Sequence, residues 1–218
     1  MIQIANVLSA PECDAIVEAL RPDAYWISGA KTAGGQARQA KYNLQADHQQ
    51  PAVRGALKKI EKTVLAHRVV KAYAQPDRLI RPMINRFDPG MAYGAHVDAP
   101  LIDGQLTDLS FTLFLKGPET YGGGALIIQN DGSEDLIKLE KGHLVLYGAA
   151  HIHHVGEVTE GSRIAAVGWI KSRIASPDLR AALFEMEQVI AALESPESAD
   201  ARLKLTNARN RLIRLFAR

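Results

Sequence analysis

The run Tyr93-Gly94-Ala95-His96-Val97-Asp98 sets an imidazole and a carboxylate two residues apart. Side chains alternate between the faces of an extended strand, so His96 and Asp98 point the same way and can reach one ion. So short a pair also arises by chance, and its meaning depends on what joins it. A second imidazole is offered by His151, His153 or His154, which follow the apolar run Leu144-Val145-Leu146-Tyr147. In a strand His151 and His153 share one face and His154 takes the other, so spacing alone leaves the choice open. Two imidazoles and one carboxylate on one side of an octahedral ion leave three coordination positions. That set suits ferrous iron that must also accept a bidentate keto acid and O2. Catalytic zinc needs fewer open positions, and a thiolate set would point to zinc or a cluster.

Arg163 lies ten residues beyond His153 and opens the run RIAAVGWIK after the turn Thr159-Glu160-Gly161-Ser162. A guanidinium inside an apolar barrel needs a carboxylate, because burying it alone is costly. The distal carboxylate of 2-oxoglutarate would meet it as a bidentate pair. Glu157 and Glu160 on the turn are the alternative partners.

These residues need a rigid frame, and the hydrophobic pattern supplies one. Between Leu79 and Ile174 short β-branched and aromatic runs (LIRPMINRF, AYGAHVD, DLSFTLFL, ALIIQ, EDLIKL, HLVLY, IHHVGEV, RIAAVGWIK) alternate with Gly, Pro and Asp turns. Their number and spacing predict an antiparallel sandwich or barrel of jelly-roll type. Ser9 with Glu12 forms a capping box, and Ala15, Ile16, Ala19 and Leu20 continue at helical spacing. Val53, Ala56, Leu57, Ile60 and Val64 mark a second helix, with a Gly-, Ala- and Gln-rich stretch of loop and short strands at 28–50 between the two. Ser176-Pro177 and Ser195-Pro196 each open a further helix. The last carries Leu205, Leu212, Leu215 and Phe216 among many arginines, and is expected to pack its apolar side on the sandwich. The fold class expected is therefore mainly β with flanking helices. It comprises a mixed support region at 1–78, a catalytic core at 79–174 and a helical extension at 175–218, together one structural unit.

Composition narrows the setting. With 218 residues and 47% hydrophobic residues the chain can bury one substantial core. A net charge of +2 is too small to mark a nucleic-acid or membrane partner. One cysteine, Cys13, excludes an intrachain disulfide and fits a reducing compartment. No signal-peptide pattern or membrane-length apolar run is evident, so a cytoplasmic protein is expected.

Taken in order, the motifs resemble the PKHD-type hydroxylases, in the prolyl-4-hydroxylase-like branch of the iron(II)/2-oxoglutarate dioxygenases. The likeness includes Thr32-Ala33-Gly34, Lys41-x-Asn43-x-Gln45, Asn85-Arg86-Phe87, the Tyr93–Asp98 run, Thr107–Leu115, Tyr121-x-Gly123-Gly124, Leu144–Tyr147 and Trp169-Ile170. It implies a double-stranded β-helix core that binds iron through His96, Asp98 and His153, the last chosen over His151 and His154 by position. It also implies Arg163 as the 2-oxoglutarate anchor, Tyr93 and Thr112 as further pocket residues, and L-ascorbate as reductant. O2 and an unidentified substrate, peptidyl prolyl or a small molecule, would then be converted with release of succinate and CO2. Lys41, Asn43 and Gln45, on one face of a strand, are candidates to border the substrate; the other reading of that face is a solvated sheet edge. The sequence departs from its relatives at Ala125, where they carry a glutamate, and in extra histidines around the distal ligand. The competing readings are a cupin-type protein that uses its metal as a Lewis acid, and a non-catalytic binding module. The first of these leaves Arg163 unexplained.

Overall fold

The computed structural model describes residues 1–31 and 41–218. The motif at Thr32-Ala33-Gly34 lies outside the described residues. In chain order come β1 (Ile2–Ile4), α1 (Ala10–Ala19), β2 (Trp26–Ser28), β3 (Lys41–Tyr42), β4 (Leu44–Ala46), α2 (Pro51–Ala66) and α3 (Arg68–Ala74). The strand-rich part follows as β5 (Pro76–Phe87), β6 (Ala92–His96), β7 (Leu101–Ile102), β8 (Gln105–Leu106), β9 (Leu109–Phe114), β10 (Tyr121–Gly123), β11 (Leu126–Asn130) and β12 (Ser133–Ile137). It ends with β13 (Leu144–Gly148), β14 (His153–Val155), β15 (Val158–Gly161) and β16 (Arg163–Ser172), before α4 (Pro177–Ala192) and α5 (Ala199–Phe216).

Seven strands form one sheet in the order β1-β13-β9-β16-β5-β4-β2, and five form a second in the order β12-β11-β14-β6-β3. The pairs are antiparallel, as a jelly roll requires. The large sheet is apolar on one face and mixed on the other, and its strands show this by alternation. Along β9, Leu109, Phe111 and Leu113 join the core under the helices, while Ser110, Thr112 and Phe114 take the opposite face. Along β13, Leu144 and Leu146 face the helices, and Val145 and Tyr147 face the second sheet.

Helix α2 covers the first of these faces. Pro51 sits in its first turn, where a missing N–H costs nothing, and Val53, Ala56, Ile60 and Val64 then recur along one stripe and are buried. Each buried aliphatic side chain of this kind contributes about 1.5–3 kcal/mol. The stripe shares one core with Cys13 and Ile16 of α1 and with the outer face of the large sheet. Helix α3 was not foreseen from the pattern, because RVVKAYA is too short for a helical period to stand out.

The C-terminal helix differs from expectation. Within α5 no residue is buried, and Leu215 and Phe216 are exposed. It lies against α4, with Arg209 ion-paired to Glu187, rather than on the sandwich. Its end is tied back to the barrel by the Ile174–Ala217 bridge and by Arg218 on Asp108, at 2.6 Å. Helix α4 packs on α3, with Phe184 edge-on to Tyr73, and α5 lies against α4 in turn. No helix among the described residues is long and apolar enough to cross a membrane.

Candidate metal centre and co-substrate pocket

The two sheets hold a cavity of about 1100 Å³ between them. His96, Asp98 and His153 meet on its wall, with potential ligand atoms all within 4.8 Å of one another. Strand pairing brings them there, since His153 of β14 lies directly opposite His96 of β6. The ring centroids are 4.3 Å apart, and Asp98 Oδ2 is 3.8 Å from His153 Nε2.

Each imidazole is oriented by the backbone. His96 Nδ1 lies 2.9 Å from Gly94 O, and His153 Nδ1 lies 3.0 Å from His151 O. A carbonyl only accepts, so both Nδ1 atoms carry the proton and both Nε2 lone pairs face the cluster, as metal ligation requires. Asp98 is oriented in turn by Ser110, whose hydroxyl donates to Asp98 Oδ2 at 2.5 Å. Burial, and the second imidazole of His153, push the His96 pKa down to about 4, so His96 is neutral and available as a ligand at ordinary pH. Tyr93 stacks on the His96 ring at 3.8 Å and 19°. Its own pKa is pushed up to about 12 by burial and by Asp98.

His151 and His154 stand apart from this group. His151 lies with Nδ1 2.9 Å from Gly148 O. His154 points to the other face of β14, where it pairs with Ile127. Alternation thus removes His154, and of the two that share a face it is His153 that comes within ligand distance of His96 and Asp98.

Arg163 enters the same cavity and is 1% exposed. Its guanidinium lies 5.4 Å from the Phe87 ring and 5.3 Å from the Phe114 ring. Among the described residues no carboxylate forms an ion pair with it, and its Nε has no hydrogen-bond partner. Glu157 and Glu160 do not reach it. Burial pushes its pKa down, opposed by the neighbouring Tyr121 and Tyr147 hydroxyls. Space for the side chain comes from the glycine pair of β10 and the turn beyond it. Gly124 has φ +65°, and a Cβ there would stand 3.2 Å from Arg163 Cδ and 2.8 Å from Val158 Cγ2. The charges next along the chain are already paired: Arg86 with Asp88 and Asp23, and Lys171 with Asp77.

The donor set therefore fits a ferrous ion, and the buried guanidinium of Arg163 fits the anionic end of a keto diacid. Thr112 and Tyr93 line the cavity. So does Lys41, which is buried with its pKa pushed down to about 8, and whose Nζ lies 5.6 Å from the Tyr93 ring centre. Asn43 and Gln45 are buried too, whereas Tyr42 between them and Lys41 is exposed, so this face is not a solvated edge. Sequence reasoning passed over Ser110, Tyr147 and Asn85. Ser110 alternates with Thr112 on β9, which could have marked it as inward-facing. Tyr147 closes an apolar run, and there its hydroxyl gives no periodic signal.

Comparison with known proteins gives the family. Residues 82–171 match the 2OG-Fe(II) oxygenase superfamily. A PKHD-type hydroxylase of Parvibaculum lavamentivorans is 43% identical over 203 residues, covering 92% of this chain and 90% of its own. One from Maricaulis maris is 37% identical over 207 residues, with 94% and 93% covered. In fold, the chain is similar to a Pseudomonas putida prolyl-4-hydroxylase, with TM-score 0.57 and 21% identity over 79% of this chain and 92% of that one. A viral collagen prolyl hydroxylase from Paramecium Bursaria Chlorella virus-1, solved with 2OG, gives TM-score 0.52 and 20% identity over 78% and 95%. With the sequence likeness running almost end to end over its relatives, the chain belongs to the PKHD-type hydroxylases of the 2OG-Fe(II) oxygenase superfamily.

Proposed function

We propose that His96, Asp98 and His153 hold the iron of this oxygenase, that Arg163 holds the distal carboxylate of 2-oxoglutarate, and that a C–H bond of a substrate at the cavity mouth is hydroxylated. The observation that carries the assignment is the buried Arg163, without a carboxylate partner among the described residues, in the same cavity as the triad. An isolated buried guanidinium is costly, and a dicarboxylic co-substrate removes that cost. When bound, iron and 2-oxoglutarate supply the O2 chemistry, in which one oxygen atom enters succinate as CO2 leaves and the other enters the product hydroxyl.

The chain's own residues bind and orient. The two Nε2 atoms and the Asp98 carboxylate would hold the ion. Ser110 fixes the carboxylate, and the Gly94 and His151 carbonyls fix the rings. Phe87 and Phe114 flank Arg163 and exclude water from its ion pair, which strengthens it. No general base is needed.

Kinship supports L-ascorbate as the reductant that keeps the iron ferrous. Lys41, Asn43 and Gln45 border the substrate, a peptidyl proline or a small molecule. Cys13, buried and reduced, suits a cytoplasmic location. The test is succinate formation from 2-oxoglutarate with iron(II) and no prime substrate. Slow succinate release by the wild type, absent in Asp98→Ala and Arg163→Ala, supports the reading; equal release by all three contradicts it.

A further inference from the structure

The side wall of the cavity carries polar groups that the triad and Arg163 do not use. The chain crosses between sheets at Asn43, since β3 pairs with β6 of the small sheet and β4 with β5 of the large one. Lys41, Asn43 and Gln45 lie on one face of that crossing, 7%, 3% and 5% exposed. Asn85, 5% exposed, stands directly across from Gln45 and continues the face. Lys41 and Asn85 both line the cavity.

Two of these amides, Asn43 and Asn85, are buried but incompletely bonded. Among the described residues neither Oδ1 nor Nδ2 of Asn43 has a hydrogen-bond partner, nor has Oδ1 of Asn85. Buried polar atoms without partners are costly and uncommon; Asn85 lines the cavity as Lys41 does, while Asn43 packs beside Lys41 against Gly29, so it is the unmet acceptor of Asn85 that calls for a ligand. The backbone makes room for them. A Cβ at Gly29 would stand 1.9 Å from Asn43 Oδ1 and 3.1 Å from Lys41 Cε, so both side chains use space that only glycine leaves.

We propose that Lys41 and Asn85, with Asn43 packed beside Lys41, form the subsite that recognises an amino-acid or peptide head group of the hydroxylation substrate. An ammonium and an amide N–H take its carboxylate or carbonyl oxygen, and the Asn85 oxygen takes its N–H. A carboxamide offers one donor and one acceptor side by side, which is the complement of a peptide group. Tyr93 separates Lys41 from His96, so the held group sits one aromatic ring from the metal ligands, with its carbon skeleton free to reach the ion. This inference rests on the oxygenase reading above.

The experiment uses iron-loaded protein with 2-oxoglutarate under anaerobic conditions and reads probe binding by calorimetry. Free L-amino acids form one probe set and their N-acetyl amides a second. Octanoate and methyl glucoside serve as probes without an N–H. Binding within the first set alone assigns the free carboxylate, and binding within the second assigns the peptide group; either supports the proposal. Gly29→Ala and Asn85→Leu should each weaken the bound probe at least tenfold, with Asn85→Gln recovering part of the loss. If neither set binds, or if octanoate or the glucoside binds as well, the proposal is overturned. The visible band of the iron–2-oxoglutarate chelate in the wild type separates the two failures, because its absence would overturn the oxygenase assignment itself.

Discussion

His153 faces His96 across the antiparallel pair of β14 and β6, and each ring is pinned through Nδ1 to the carbonyl two residues before it. The geometry makes the two imidazoles equivalent. Replacing His96, Asp98 or His153 by Ala should therefore abolish tight iron(II) binding, since each removes one of three ligands. His151→Ala and His154→Ala should keep it. Iron titration decides, and loss at His151 with retention at His153 would reverse the assignment.

Ser110 touches no metal atom but fixes Asp98 at 2.5 Å. Loss of such an orienting bond typically lowers metal affinity about 10–100-fold. Ser110→Ala should show a drop in that range while Ser110→Thr retains most of the affinity. A competition titration against a chelator measures it, and unchanged affinity in Ser110→Ala would remove the role.

The start of α1 carries a pH-dependent contribution. Glu12 accepts from Ser9 N at 2.9 Å and from its hydroxyl at 2.8 Å, and lies 3.1 Å from Lys59 Nζ. These bonds, that from the Ser9 backbone first, hold its pKa near 2, below the usual 4.5. A depressed carboxyl stabilises the fold above its unfolded pKa and loses that effect as pH falls through its folded one. Glu12→Gln should thus lower the melting midpoint at neutral pH, and the difference should vanish between pH 4.5 and about 2. A difference that persists below pH 2 would contradict the capping role.

We propose that segments 1–78, 79–174 and 175–218 fold as one cooperative unit. The core under the large sheet is built from α1, α2 and the sheet together. Ile60→Ala, at a fully buried site in that core, should cost about 2–5 kcal/mol. Tryptophan fluorescence and far-ultraviolet dichroism should give one coincident denaturant transition in both proteins. Separate transitions would show that the helical segments are independent.

Much of this was legible in the sequence because two periods carry it. Alternation placed His96 with Asp98 and put Lys41, Asn43 and Gln45 on one face, and helical spacing located α1, α2 and α4. Whether that polar face turned inward was not legible. Its burial comes from the crossing between sheets at Asn43, a tertiary event that no local pattern records. The position of α5 was missed for a similar reason. Leu205, Leu212 and Leu215 show the same stripe whether a helix covers a barrel or lies on another helix. Ser110 and Asn85 were passed over because a polar residue in an apolar strand has meaning only once its neighbour across the cavity is known.

The central claim is that one cavity binds iron through the triad and 2-oxoglutarate through Arg163. The direct measurement is an anaerobic titration of 2-oxoglutarate into iron-loaded wild type and Arg163→Ala, following the weak visible band of the chelate. Removing a buried bidentate partner costs on the order of 2–5 kcal/mol, roughly 30-fold to several thousandfold in affinity. The variant should keep its iron and form the band only at far higher 2-oxoglutarate, with Arg163→Lys in between because an ammonium lacks the planar fork. Band formation by Arg163→Ala at wild-type concentrations would contradict the account and move the anchor to another cation.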